Sequence, residues 1–249
     1  MENITTVVLS RLVVQSRALE LTAANIANAA TPGFRAERSL FSEWLAREPG
    51  GAEPPGESAI AFPLDGTTWR DTAAGTLRHT GNPLDLAISN SLGWFTVQTA
   101  RGPRLTRAGQ FLLDASGTVV DALGDPLLDA NGKPLRTSPA DTRLSVTADG
   151  TLASETGPIG RIGVVQPDDE SKLIAEGGTL FNAGTPTNPL ADPQIVEGAV
   201  EDSNVRPIEE LTRMMQQMRE FQLTTQMIQA ESDRANGAID RILSRPPVG

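Results

Sequence analysis

The chain has no cysteine, no tyrosine and a single histidine, His79, among 249 residues. Without cysteine there is no disulfide, no thiolate metal site and no sulfur nucleophile. One histidine excludes a multi-histidine metal centre. Ten aromatics, three Trp and seven Phe, are few for a groove that binds carbohydrate or single-stranded nucleic acid by stacking. A net charge of -10 opposes general nucleic-acid binding, which needs a basic footprint. Long apolar runs are missing too. Arg11 and Arg17 interrupt the opening stretch MENITTVVLSRLVVQSRALEL, which also lacks a basic n-region. It reads neither as a secretory signal nor as a membrane span. The expectation is a cytosolic protein, or one exported by a route that reads no such signal.

Glycine and proline are absent from residues 1–31 and again from 208–236. Thirty-seven of the 41 in the chain fall within 32–207. The ends therefore avoid the residues that break helices, and the middle is saturated with turn formers. Lysine is scarce as well, with only Lys133 and Lys172 beside 19 arginines. Arginine suits interfaces because its planar fork pairs and stacks, although a GC-rich genome would produce the same bias.

Two long helices are expected at the ends. Over about 3–30, Val8, Leu12, Gln15, Leu19, Thr22 and Ile26 alternate in steps of four and three, with Val7, Val14 and Leu21 widening the stripe. Thr31-Pro32-Gly33 forces an extended residue and then a turn, so the helix stops near Asn28. Over 207–243, Leu211, Met214, Met218, Phe221, Thr225, Ile228, Ser232, Ala235, Ile239 and Ile242 keep the same alternation, the pattern of a coiled-coil seam. Pro207 suits the first helical position, and Glu209 and Glu210 suit the positive end of the helix dipole. Met214, Met215, Met218 and Met227 read most simply as core, and flexible methionines also suit several different neighbours.

Between the helices, residues 76–200 read as short antiparallel strands. Turn dipeptides Ser116-Gly117, Asn131-Gly132 and Asp149-Gly150 separate apolar runs such as Phe111–Leu113 and Ile162–Val165. DASGTVVDALGDPLLDANGKPL and TADGTLAS share a turn-strand rhythm that falls short of a sequence repeat. Residues 35–75 are less regular, with PGGAEPPGES (49–58) read as a flexible or extended loop. The expected fold is a mostly β, hairpin-rich antiparallel central domain flanked by N- and C-terminal α-helices. The divisions are 1–31 (N-terminal helix), 32–75 (connector with flexible loop), 76–203 (β-rich domain) and 204–249 (C-terminal helix). Periodicity alone leaves two readings of the helices open: an intramolecular hairpin, or assembly with further copies.

Acidic residues invite catalytic readings that the pattern does not support. Asp85 has no positioned acid or histidine as a partner and reads as a strand-end hydrogen bonder. Asp168-Asp169-Glu170 and Glu201-Asp202 could be imagined as glycosidase carboxylates, but adjacent acids in loops are ordinarily solvated. Glu201-Asp202-Ser203-Asn204 reads as a capping and turn segment before the second helix. Asn25 and Asn28, three apart near a helix end, suit local backbone bonds or bonds to a neighbouring subunit.

Four segments, in order, resemble the bacterial flagellar rod and hook proteins. AANIANAATPGF (23–34) resembles their N-terminal signature NN-A-N-x-T-x-G-F/Y. TGNPLDLAISNSLGWFTVQTARGPRLTRAGQFLLDASGTVVDALGDPLL (80–128) is similar to their G-N-x-L-D-x-A-I and Y-T-R-x-G-x-F stretch. GPIGRIGVV (157–165) and VEGAVEDSNVRPIEELTRMM (196–215) resemble the strand and lead-in before their C-terminal helix. Ser89-Asn90-Ser91-Leu92 replaces the family's Gly-x-Gly, and Leu105 stands in for its Tyr. ATPGFRAE (30–37) and Trp94 in GWFTV favour the proximal-rod branch over the distal-rod branch.

The resemblance implies a structural subunit of the basal-body rod that transmits torque between motor and hook, spans the periplasm, and is exported by the flagellar type III apparatus without a cleaved signal. Implied partners are copies of itself and other proximal and distal rod subunits, with no nucleic acid and no direct membrane insertion. No cofactor, metal or catalytic residue is implied, and a flagellum-associated peptidoglycan hydrolase is the rival from another class. Its terminal helices would pair as a coiled coil on assembly, disordered in the isolated subunit. The implied assembly residues are Val8, Leu12, Leu19, Asn25, Ile26 and Asn28 on the first helix. On the second they are Leu211, Met214, Met218, Phe221, Ile228, Ile239 and Ile242. Thr31, Pro32, Gly33 and Phe34 form the junction.

Overall fold

A computed structural model describes residues 2–39, 42–46, 60–64, 68–138, 141 and 143–243. Two helices flank a mostly antiparallel β region. The first, α1, runs Glu2–Ala27, and the second, α2, runs Pro207–Leu243. Neither is long and apolar enough to cross a membrane. The chain divides into two compact units. One holds Met1–Ile26, Glu37–Trp69 and Pro207–Gly249; the other holds Ala27–Ala36 and Arg70–Arg206.

In the helical unit, α1 and α2 form an antiparallel hairpin. Asn25, late in α1, bonds to Glu37. Arg38 pairs with Glu210 in the first turn of α2. Thr22, a turn earlier in α1, reaches Gln217, two turns further along α2. The stretch expected as a connector contributes strands here. Ser42–Ala46 pairs antiparallel with Ile60–Leu64, and Glu37–Ser39 lies beside Thr68–Arg70. The Gly/Pro-rich stretch 49–58 lies outside the described residues.

In the β unit, a six-stranded antiparallel sheet has the spatial order Ile174–Ala175, Leu180–Asn182, Gly102–Thr106, Trp94–Thr99, Val164–Pro167, Thr187–Pro189. Leu144–Val146, Thr151–Ser154 and Gly157–Arg161 make a three-stranded sheet with a bulge at Leu152/Ala153. Two long-range pairs close the unit: Leu86–Ile88 with Ile195–Glu197, and Leu77–His79 with Ala199–Glu201. Leu86, Phe95, Phe111, Leu127, Leu152, Ile162 and Ile195 are among the residues that fill the main core. Phe95 and Phe111 meet edge to face at 5.4 Å.

The turn-strand rhythm of 114–137 is a repeat of geometry. Residues Asp114, Asp121 and Asp129 each open a five-residue turn. In each, the Asp carbonyl accepts from a Gly three residues on, and the Asp N–H donates to the carbonyl four residues on. The glycines sit at φ +78°, +87° and +77°, where a side chain would be strained. Thr147 opens a fourth such turn, with Gly150 at φ +89°. Val119, Leu127 and Leu135, eight residues apart, donate to one another in a ring: Val119 to Leu135 (3.0 Å), Leu135 to Leu127 (2.9 Å), Leu127 to Val119 (2.8 Å). All three side chains are buried. What recurs is the Gly and the opening residue, an Asp in three turns and a Thr in the fourth, so the sequences otherwise differ.

Candidate assembly surface and helix junction

Helix α1 ends where Thr31 donates back to the Asn28 carbonyl (3.1 Å) and Phe34 to Thr31 (3.2 Å), wrapping Pro32-Gly33 into a turn. Gly33 has φ +69° and donates to the Glu201 carbonyl at 2.7 Å. A Cβ there would lie 2.2 Å from the Ala108 nitrogen, so no side chain fits. Phe34 packs with Ala29, Ala36 and Val205 in a small apolar cluster. Asn204 holds this junction from the other end of the chain. Its Oδ1 accepts from Ala36 (2.7 Å), and its Nδ2 donates to the Asp71 (2.8 Å) and Ala73 (3.0 Å) carbonyls. Thr31, Pro32, Gly33 and Phe34 thus sit together in one turn, held by contacts that span most of the sequence.

Behind the junction lies a fully buried charge cluster. Arg35, Arg107 and Glu201 are each about 1% exposed. Arg35 Nη2 is 2.8 Å from Glu201 Oε1, and Arg107 Nη1 is 3.4 Å from Oε2. The Gly75 N–H also donates to Oε1 at 2.8 Å. Arg107 donates further to the carbonyls of Ile88 (3.3 Å), Asn90 (3.2 Å) and Ser91, and Arg35 to that of Ala73. Both guanidinium carbons lie over the Trp94 ring, at 6.0 and 5.3 Å. Burial lowers both arginines, Arg107 to about 10, and Glu201 opposes the shift. Arg107 therefore stays cationic at neutral pH.

This corrects the reading of Glu201 as part of a solvated turn. Its neighbour Asp202 is partly exposed and pairs with Arg78, as a loop acid does. Arg35, Arg107, Glu201 and Asn204 escape notice in the sequence because charged and amide residues are read as surface. The available signal was their position: each lies inside or beside a motif segment, in FRAE, LTRAGQF and VEDSN.

The other acids stay bland. Asp85 accepts from the Thr80 hydroxyl (2.6 Å) and the Asn82 amide (3.0 Å) at its strand end. Asp169 caps a short turn through Ser171 (3.0 Å), and Asp168 accepts from Asn188 (2.6 Å).

On α1, Gln15, Ala18, Thr22 and Asn25 form the buried face, flanked by half-buried Val8, Leu12, Leu19 and Ile26. Asn25 spends both ends of its amide inside the chain, on the backbone of Glu37. Asn28 accepts from the Thr31 hydroxyl (3.2 Å). On α2 the inward file is Glu210, Met214, Gln217, Phe221, Thr224, Ile228 and Glu231. Met214, Phe221 and Ile228 of the expected seam are on it, and Leu211 and Met218 are exposed beside it. The Ile239 and Ile242 side chains lie outside the described residues. Exposed apolar side chains gather instead at Leu9 and Val13 of α1 and at Ile208, Leu211, Met215, Met218, Leu223 and Met227 of α2. Periodicity located an apolar stripe, but not how much of it one partner would cover.

Three family models match the chain: Flagella basal body rod protein over 7–35, Flagellar hook protein FlgE/F/G D1 domain over 87–154, and Flagellar basal body rod FlgEFG protein C-terminal over 196–240. They cover most of α1 with its junction, part of the β core, and Glu201 with most of α2. The chain is 34% identical to the flagellar basal-body rod protein FlgF of Caulobacter vibrioides, covering 97% of this chain and 98% of that protein. It is 32% identical to FlgF of Mesorhizobium japonicum, with 96% and 97% covered. Identity to the rod protein FlgG of Bacillus subtilis is 30%, over 84% and 88%. With such identity sustained across both full lengths, the chain belongs to the FlgF family of flagellar basal-body rod proteins.

Proposed function

We propose that the chain is a structural subunit of the flagellar rod, a mechanical component rather than an enzyme. In this reading 1–31 and 204–249 are the assembly segments. Copies of the chain and other rod subunits, proximal and distal, pack against their outward faces in coiled-coil fashion, and the β domain stays outside the helical tube. The flagellar type III apparatus exports the chain without a cleaved signal. Torque passes through many packed side chains.

The observation that carries this reading is the apolar surface left over by the hairpin. Leu211, Met215, Met218 and Leu9 are large, apolar and about half exposed or more. A monomeric helix pair gains nothing from such residues in water, whereas each is worth roughly 1.5–3 kcal/mol once buried. Replacing Leu211 and Met218 together by Asp tests it. The variant chain is expected to keep its β unit and secretion but to be absent from purified basal bodies, leaving cells non-motile. Normal motility would overturn the proposal.

A further inference from the structure

Gly33, Phe34, Arg35 and Ala36 are buried one after another, while Thr31 and Pro32 before them and Glu37 after them are only half-buried. They belong to no helix or strand. The walls around them come from residues far along the chain. The Gly33 N–H donates to the Glu201 carbonyl (2.7 Å), and the Phe34 carbonyl accepts from the Asn204 N–H (3.3 Å). The Arg35 carbonyl accepts from Arg70 (3.2 Å), and that of Ala36 from the Asp71 N–H (2.9 Å). The Arg70 guanidinium carbon also lies 5.1 Å from the Phe34 ring centroid. The stretch is held as a bound peptide is held, by its main chain and by anchoring side chains.

The groove is built without help from the stretch it holds. Glu201 is placed by the pairing of Ala199–Glu201 with Leu77–His79. Its carboxylate already has Arg107 (3.4 Å) and the Gly75 N–H (2.8 Å) as partners before Arg35 is counted. Arg107 is fixed in turn by the carbonyls of Ile88 and Asn90. The Ala73 carbonyl, which accepts from Arg35, accepts from Asn204 as well (3.0 Å). Withdrawing residues 33–36 therefore leaves no buried carboxylate without a partner, which is what makes such a cluster costly to break. Each position also selects its residue. Gly33 lies against the Arg107–Ala108 backbone with no room for a Cβ. Ala36 is fully buried and must be small. Burial works against the Arg35 charge, and Glu201, Glu170 and Asp71 favour it.

We propose that the β unit carries a peptide-binding groove that recognises a Gly-Phe-Arg-Ala sequence, and that residues 33–36 of the same chain are its separable ligand. Filling the groove sets the stretch leaving α1 beside the stretch entering α2, through Ala36 and Asn204 (2.7 Å). Neither terminal helix contributes a wall to the groove, and its binding is independent of the rod function proposed above.

A labelled peptide of residues 28–38, NAATPGFRAER, tests this against the full-length chain carrying Phe34→Asp and Arg35→Ala. That chain has its own ligand disabled and its groove intact. It is expected to keep the cooperative melt of its β unit and to bind the peptide saturably, one to one, by fluorescence anisotropy. Phe34→Ala in the peptide, which leaves its charge unchanged, and Arg35→Ala should each weaken binding about tenfold or more, the loss of one buried anchor. The native chain should bind the peptide about tenfold more weakly or less, because its own segment competes at the high local concentration of a tether. Loss of the melt in the disabled chain overturns the proposal, since the groove would then not exist without its segment. So does absence of binding, or equal binding by the Phe34→Ala peptide, which would be charge attraction alone. Equal binding to the native and disabled chains overturns it too, because the chain's own segment would then not occupy the groove. All of these outcomes are read on the single chain, whether or not the Leu211/Met218 variant enters rods.

Discussion

The side-chain amide of Asn25 meets the backbone of Glu37 end to end, donating to its carbonyl at 2.9 Å and accepting from its N–H at 2.8 Å. One side chain thus replaces a β-strand neighbour for a residue twelve positions away. It ties the last turn of α1 to the strand that carries Arg38.

Asn25→Ala leaves both Glu37 groups without this partner and is expected to cost about 2–4 kcal/mol, from unsatisfied buried polar groups. Asn25→Asp keeps the acceptor and loses the donor. At neutral pH it sets a carboxylate against a carbonyl; protonated, it donates again. The carboxyl's folded pKa is raised, so the Asp variant should approach native stability as pH falls below that pKa. Thermal melts at pH 7 and pH 4 check this; an Asp variant equally weak at both would refute it.

Glu201→Gln leaves Arg35 and Arg107 buried with their counter-charge gone. Breaking a buried ion cluster from one side costs about 3–5 kcal/mol. A fall in Tm of about 10 °C is expected for a chain of this size. Glu155→Gln, which removes a solvent-exposed partner of Arg143, should leave Tm unchanged.

Gly33→Ala and Gly124→Ala separate two kinds of constraint. Both glycines have positive φ, +69° and +87°. A Cβ at Gly33 would collide with the Arg107–Ala108 backbone, whereas Gly124 has nothing within 4 Å. The second substitution should cost about 1 kcal/mol, the left-handed penalty alone. The first should cost several times more by urea denaturation.

The Asp turns make the β unit acid-sensitive. Hydrogen bonds from Ser116 hold the Asp114 carboxyl below its usual range, and those from Thr147 and Thr151 do the same for Asp149. A carboxylate whose folded pKa is depressed contributes stability above its unfolded pKa and loses it as pH falls through the folded value. Urea midpoints are therefore expected to hold from pH 7 to about 4 and to decline below that. Asp114→Asn and Asp149→Asn together should lower the midpoint at pH 7 and flatten the decline.

A hairpin packed through Gln15, Thr22, Asn25, Glu210, Gln217 and Thr224 is held less firmly than a core of Phe95, Phe111 and Leu127. Native-state amide exchange should find the 211–228 amides opening at least a hundredfold more readily than those of 94–97, since local stability follows buried apolar contact. Equal protection in both would refute this.

Much of this architecture was legible in residue order. The Gly/Pro-free ends marked both helices, and Pro207 marked the first residue of α2. Asn131-Gly132 and Asp149-Gly150 marked turns. Three things were not legible, for physical reasons. Helical periodicity finds a stripe but not its rotational setting, so Leu211 and Met218 looked as inward as Phe221. The pairing Arg35–Glu201 joins residues far apart in sequence, and nothing local distinguishes a carboxylate that meets two guanidiniums from one that meets water. The strands at 42–46 and 60–64 hid for a related reason, since their pairing depends on each other and not on a tight turn.

The Val119–Leu127–Leu135 ring closes within one short stretch of chain, while Leu77–His79 must await Ala199–Glu201 and Thr22 must await Gln217. Local contacts form quickly, and distant ones pay for loop closure first. The ring is therefore the natural folding seed of the β unit. The hairpin is its latest product, formed only when nearly all of the chain is present, so a fragment ending before α2 would carry a seeded β core but no hairpin.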